Sequence, residues 1–113
     1  MVKQGSIIKI DFNPIVGSEQ GGYRPAVVIS NDFTISKTNI ISICPITNQQ
    51  SKTALNVLLD DRTQTQGAVL CAHNRAVDLS KRSYKRIEDL PGDKLEEILD
   101  VAIGILTPSK TEK

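Results

Sequence analysis

At 113 residues, with 39% hydrophobic and 24% charged side chains, the chain has the size and balance of one globular domain, 1–113. Fourteen Lys and Arg against thirteen Asp and Glu leave a net charge of +1, which neither demands nor excludes a nucleic-acid partner. No run of about 18 apolar residues exists to cross a membrane as a helix, and the opening MVKQGSIIKIDF lacks the apolar core of a signal peptide, so a cytoplasmic protein is expected.

Taken in chain order, Ser6 to Phe12 alternates Ile8, Ile10 and Phe12 with Lys9 and Asp11, the pattern of a half-buried strand. Pro14 and the glycines at 17, 21 and 22 then mark a long loop. Ala26–Ser30, Ile40–Ile46, Leu55–Leu59 and Ala68–Cys71 are short runs rich in Val, Ile and Leu, read as further strands. Residues 79–88 are ambiguous, a turn followed by a short edge strand. After Pro91-Gly92 the period changes. Asp93 is placed to cap a helix with Glu96 three residues on, and Leu95, Ile98, Leu99, Ala102 and Leu106 fall on one stripe before Pro108 ends it. The expected fold is mainly β with a C-terminal helix: a small barrel over roughly 5–90, a helix over roughly 93–107 and a flexible tail from 108.

Three segments carry candidate chemistry. PIVGSEQGGYRP, residues 14–25, joins two expected strands with three glycines, a carboxylate and an Arg next to a Pro. Pro25 biases Arg24 toward extended backbone, so its guanidinium projects from the start of a strand, where the fork suits a phosphate; a surface salt bridge to Glu19 is the plainer use. Thr47 ends an apolar strand, where its hydroxyl either bonds its own backbone or donates to a phosphate oxygen. His73 is the only histidine, and a lone histidine of this kind is more often structural or exposed than catalytic.

Charge distribution adds to this. Residues 75–86 hold five basic residues (Arg75, Lys81, Arg82, Lys85 and Arg86) against Asp78, a stripe that suits a phosphate backbone or a plain solvated face. No cluster of His, Cys and carboxylates has metal-ligand spacing, so no metal and no cofactor is expected. Cys44 and Cys71, far apart and without a C-x-x-C spacing, read as buried free thiols.

GSIIKIDFNPIVGSEQGGYRPAVVISND resembles the MazF/PemK toxins, with a Gly, an alternating strand, a Pro, a G-x-E-Q-x-G-x-R-P loop and an apolar strand. The likeness continues through Pro45-Ile46-Thr47, Gly67-Ala68-Val69 and Arg75-Ala76-Val77-Asp78 to the terminal helix, covering nearly the whole chain. The resemblance implies an SH3-like β-barrel of the plasmid maintenance toxin type, a homodimer, and metal-independent, sequence-specific cleavage of single-stranded RNA. It also implies neutralisation by a cognate antitoxin carrying an acidic disordered segment.

By the same resemblance Arg24 and Thr47 hold the scissile phosphate, and Ser18, Glu19, Gln20, Tyr23, Asn48, His73 and Arg75 border the RNA. Ala72-His73 departs from the commoner Glu-Gln or Asp-Gln pair, so a carboxylate's acid or base role does not transfer to that position. A same-fold toxin that binds a protein such as DNA gyrase, and a non-catalytic nucleic-acid-binding barrel, are the alternatives.

Overall fold

The computed structural model describes residues 1–13 and 22–109. Seven strands form one sheet: β1 (Ser6–Asp11), β2 (Tyr23–Val28), β3 (Ile40–Thr47), β4 (Asn56–Leu58), β5 (Ala68–Leu70), β6 (Arg75–Asp78) and β7 (Tyr84–Asp89). Their order is β4-β5-β3-β2-β1-β7, with β6 branching from β3, and every pairing is antiparallel. A short helix α1 (Asp32–Lys37) follows β2, and α2 (Gly92–Leu106) ends the fold. The sheet does not close by a backbone ladder, since β4 and β7 remain its two ends.

Side chains bridge that seam. The Glu88 carboxylate on β7 accepts the Gln64 N–H at 3.1 Å, the Thr65 N–H at 2.8 Å and the Thr65 hydroxyl at 2.8 Å. The turn between β4 and β5 is thereby tied to the opposite edge, so the curled sheet is barrel-like, as expected.

Two apolar clusters lie on the two faces of the curl. Ile8, Ile10, Phe12, Ala26, Val28, Ile41, Ile43 and Val77 fill one. Ile7, Val27, Cys44, Ile46, Val57, Leu59, Val69, Cys71 and Ile98 fill the other, beneath α2. Strand β1 keeps the expected alternation from Ile8 to Phe12, with Ile8, Ile10 and Phe12 buried, Lys9 exposed and Asp11 half-buried, but at its start Ile7 is fully buried as well, because α2 covers the second face there. Both cysteines are buried free thiols in the α2-side cluster, as expected.

The expected cap of α2 is not formed. Pro91 is the N-cap residue, without a side-chain cap hydrogen bond, and the Lys94 and Leu95 N–H groups bond its carbonyl instead. Asp93 sits in the first turn with its carboxylate held by the Arg62 fork at 2.9 Å, a charge-assisted pair that a bond to its own backbone does not match. Asp60 grips the same guanidinium at 2.8 Å. Arg62 holds Asp60 at a pKa of about 2 and lowers that of Asp93.

Among the described residues no helix is long and apolar enough to cross a membrane.

Candidate phosphate-binding site

Register and strand parity bring the candidate side chains together. Residues opposite each other in an antiparallel pair share a face, and alternate residues of a strand share a face. Arg24 pairs with Ile10, and Arg75 pairs with Ile43; both partners belong to the cluster away from α2. Thr47 lies on that face as well, at even spacing from Ile43 along β3. Arg24, Thr47 and Arg75 thus stand on one face, at the start of β2, the end of β3 and the start of β6.

Two prolines shape the gap between them. The last β2–β3 pair is Ala26 opposite Pro45, and Pro25 precedes Ala26 on β2. Proline supplies no N–H to a ladder, so the backbone bonding between these strands stops there and β3 turns to pair with β5 through Ile46 and Thr47. Continuing the register by two residues sets Arg24 level with Thr47, on the two sides of the place where the ladder ends.

The chemistry of each group follows from its surroundings. Arg75 lies over the buried Phe12 ring, 5.4 Å from its centroid, an arrangement that fixes the guanidinium by cation–π attraction and packing. The Thr47 hydroxyl oxygen accepts the Gln49 N–H at 3.3 Å, which leaves the hydroxyl hydrogen to donate. The two uses read from the sequence for Thr47 are therefore compatible. Gly67, at φ +124°, packs against the Thr47 carbonyl so closely that an added Cβ would overlap it.

The other candidates fall in different places. Asn48 is exposed immediately after β3, and His73 is exposed at the end of a 3-10 turn, Cys71–His73, that leads into β6. Tyr23 pairs with Asp11 and so points from the face opposite Arg24; the structure does not bring those two side chains together. Ser18, Glu19 and Gln20 lie outside the described residues. The residues that flank that loop are well held: Phe12 N–H bonds the Gly22 carbonyl at 2.8 Å, the Asn13 side chain accepts the Gly22 N–H, and Arg82 donates to the Asp11 and Asn13 carbonyls.

Of the basic stripe, Arg82 is thus engaged with backbone and Arg86 with Asp89 at 2.7 Å. Sequence reasoning missed Tyr84, which pairs with Ile10 and so shares the face of Arg24. The signal was hidden because β7 carries a register shift opposite Ile7 and Ile8, and parity cannot be counted through a bulge from sequence alone. Among the described residues no three His, Cys, Asp or Glu side chains gather as a metal-binding group.

Comparison with known proteins agrees with this architecture. Residues 3–106 match the family described as PemK-like, MazF-like toxin of type II toxin-antitoxin system. Endoribonuclease EndoA of Bacillus subtilis (strain 168) is 30% identical, over 94% of this chain and 97% of its own. The crystal structure of MazF from Deinococcus radiodurans superposes with a TM-score of 0.85 at 30% identity, covering 93% of this chain and 96% of that one. A chain of the MazE-MazF crystal structure from the same organism gives a TM-score of 0.82 at 30% identity, over 96% and 97%. With the match running from before β1 to the last residue of α2, the chain belongs to the PemK-like, MazF-like toxins of type II toxin-antitoxin systems.

Proposed function

We propose that this chain is a sequence-specific, metal-independent endoribonuclease that cuts single-stranded RNA, acts in the cytoplasm as a homodimer and is neutralised by a cognate antitoxin. The observation that carries the reading is the convergence of Arg24, Thr47 and Arg75 on one face, where the β2–β3 ladder ends. The relative named endoribonuclease EndoA supports the activity, and the MazE-MazF crystal supports an antitoxin partner.

In this mechanism the ribose 2′-hydroxyl attacks the adjacent phosphorus in line and the 5′-oxygen leaves. The products are a 2′,3′-cyclic phosphate and a 5′-hydroxyl. Negative charge grows on the phosphoryl oxygens, and the permanently protonated Arg24 fork and the Thr47 hydroxyl stabilise it; Arg75 adds positive potential from the same face. Because the nucleophile belongs to the substrate, no metal-bound water is required. Single strands are selected because their bases can be splayed for stacking and edge contacts, with Asn48 and His73 at the rim and Ser18, Glu19 and Gln20 from the segment between β1 and β2.

The dimer face we assign to α2, where Ile103 and Leu106 are 60% and 75% exposed beside Ile29, Leu99 and Ala102. The antitoxin contributes an acidic disordered segment that folds onto the cationic face and displaces RNA.

Purified protein is incubated with a long single-stranded RNA in EDTA. Discrete fragments ending in cyclic phosphate are expected, and Arg24→Ala, folded by circular dichroism, should lose about 3 kcal/mol of transition-state stabilisation, a rate drop of two or more orders of magnitude. Fragments bearing 5′-phosphates, activity that returns only with magnesium, or full activity of Arg24→Ala would overturn the reading.

A further inference from the structure

The register sets the two cysteines against each other, although β4 and β5 lie between them in the chain. Strand β3 pairs with β5 through Ile46 opposite Val69 and Thr47 opposite Ala68, and the same register carried two residues further places Cys44 opposite Cys71. Their ladder groups point apart. The Cys71 N–H donates to the Leu55 carbonyl at 3.2 Å, toward β4. Cys44, two residues from Ser42, whose carbonyl accepts the Ile29 N–H, likewise bonds toward β2 as the partner of Val27. The two are therefore a pair of the non-hydrogen-bonded kind, in which side chains lie closest and Cα atoms are about 4.5 Å apart, inside the span of about 4.4–6.8 Å that a disulfide bridges.

Both thiols are fully buried in the cluster beneath α2, on the face opposite Arg24 and Thr47. A hydrogen bond between them is the largest influence on each: it raises the pKa of Cys44 and lowers that of Cys71, and the Lys52 ammonium adds to the lowering, while burial and the Glu97 carboxylate oppose it. Cys71 is thus the readier thiolate. It is also the first residue of the 3-10 turn whose other two, Ala72 and His73, are exposed, and it feels the charges of exposed Lys52 and Glu97. The RNA chemistry proposed above uses neither sulfur.

We infer that Cys44 and Cys71 form a dithiol site that hydrogen peroxide, a small uncharged oxidant, converts into an intramolecular disulfide on the α2 side of the sheet. Opening of the turn at Cys71 admits the oxidant. The Cys71 thiolate attacks one peroxide oxygen, the O–O bond breaks, and the hydroxide released takes up the proton that Cys71 gave, leaving a sulfenic acid. The Cys44 sulfur then attacks the Cys71 sulfur, the S–O bond breaks, and the departing hydroxide leaves as water with the Cys44 proton. Two thiols are oxidised to one disulfide, and one peroxide is reduced to two waters. The bond closes a covalent loop around Thr47, Gly67, β4 and β5, so the unfolded chain loses freedom and the folded one is harder to open. It stays out of the gap between Arg24 and Thr47, because it lies on the other face.

Wild-type protein is treated with hydrogen peroxide at neutral pH, denatured and alkylated, and its mass and tryptic peptides are read. A product two hydrogens lighter, without an alkylatable thiol and with the Cys44 and Cys71 peptides joined, is expected, and dithiothreitol should restore both thiols. In a urea titration the oxidised form should unfold at a midpoint higher by about 1 M or more than the reduced form. In Cys44→Ala the reaction should stop at the sulfenic acid, trapped by dimedone on Cys71; should that variant fail to fold, the wild-type measurements decide alone.

Thiols that stay alkylatable after treatment, oxidation to sulfinic acid without a disulfide, a bond between two molecules, or equal urea midpoints would each overturn the assignment. None of these readouts uses RNA, so failure here leaves the endoribonuclease reading untouched, and failure of that reading leaves the dithiol site standing.

Discussion

Gly67 shows how a single missing Cβ positions the candidate site. Its φ of +124° lies where side-chain-bearing residues are strained, and the Thr47 backbone occupies the space a methyl group would need. Gly67→Ala is therefore expected to push the end of β3 away from Arg24. Stability should fall by about 1–3 kcal/mol in a urea titration, and RNA cleavage should fall more steeply than the folded fraction does. A variant with wild-type stability and rate would show that Thr47 does not depend on this close approach. The sequence motif Gly67-Ala68-Val69 was readable, yet its reason was not, because the approach is between β3 and β5 and exists only once the strands pair. Arg24, Thr47 and Arg75 were legible as single residues; that they share one face follows from register, which no local pattern encodes.

Among the elements, α2 was the most legible, because its apolar stripe repeats over four turns and buries Ile98 and Ala102 against the sheet. Ile98 is fully buried among both β-strand and helix partners, so Ile98→Ala should cost about 2–5 kcal/mol in chemical denaturation, the spread reflecting how far the site can collapse. A loss below about 1 kcal/mol would mean that α2 is loosely docked. Its start differs from the capped one expected, since a tertiary partner, Arg62, competes for Asp93. Two elements left no readable signal. Helix α1 is six residues long with no buried side chain, and β6 is four residues long with only Val77 buried, so neither shows a period. Strand β2 begins at Tyr23, earlier than expected, because Pro25 suits the point where one of its two ladders ends.

On the scale of the whole molecule, the curled sheet is held shut on one side by the Glu88 carboxylate. Burial pushes its pKa up, but the Thr65 and Gln64 N–H groups and the Thr65 hydroxyl outweigh that and leave it lowered. A lowered folded-state pKa gives stability that is present above the unfolded value and lost as pH falls through the folded one. Thermal melts of wild type and Glu88→Gln should differ at pH 7, by about 1–2 kcal/mol for charged hydrogen bonds in partly exposed surroundings, and converge as the medium is taken below the usual glutamate range near about 4.3. A gap that persisted at low pH would place the difference elsewhere than in the carboxylate's charge. The pairing of β1 with β7 has a further consequence, for how a cell survives making this protein. Ser6 emerges from the ribosome well before its partner Asp89, which lies 83 positions further along the chain. Until then β1 has an unpaired side, α2 has not covered its cluster, and such long-range pairings form late. A nascent toxin thus stays unfinished until β7 and α2 have been made, and the interval in which a folded but unpartnered molecule exists begins only after that.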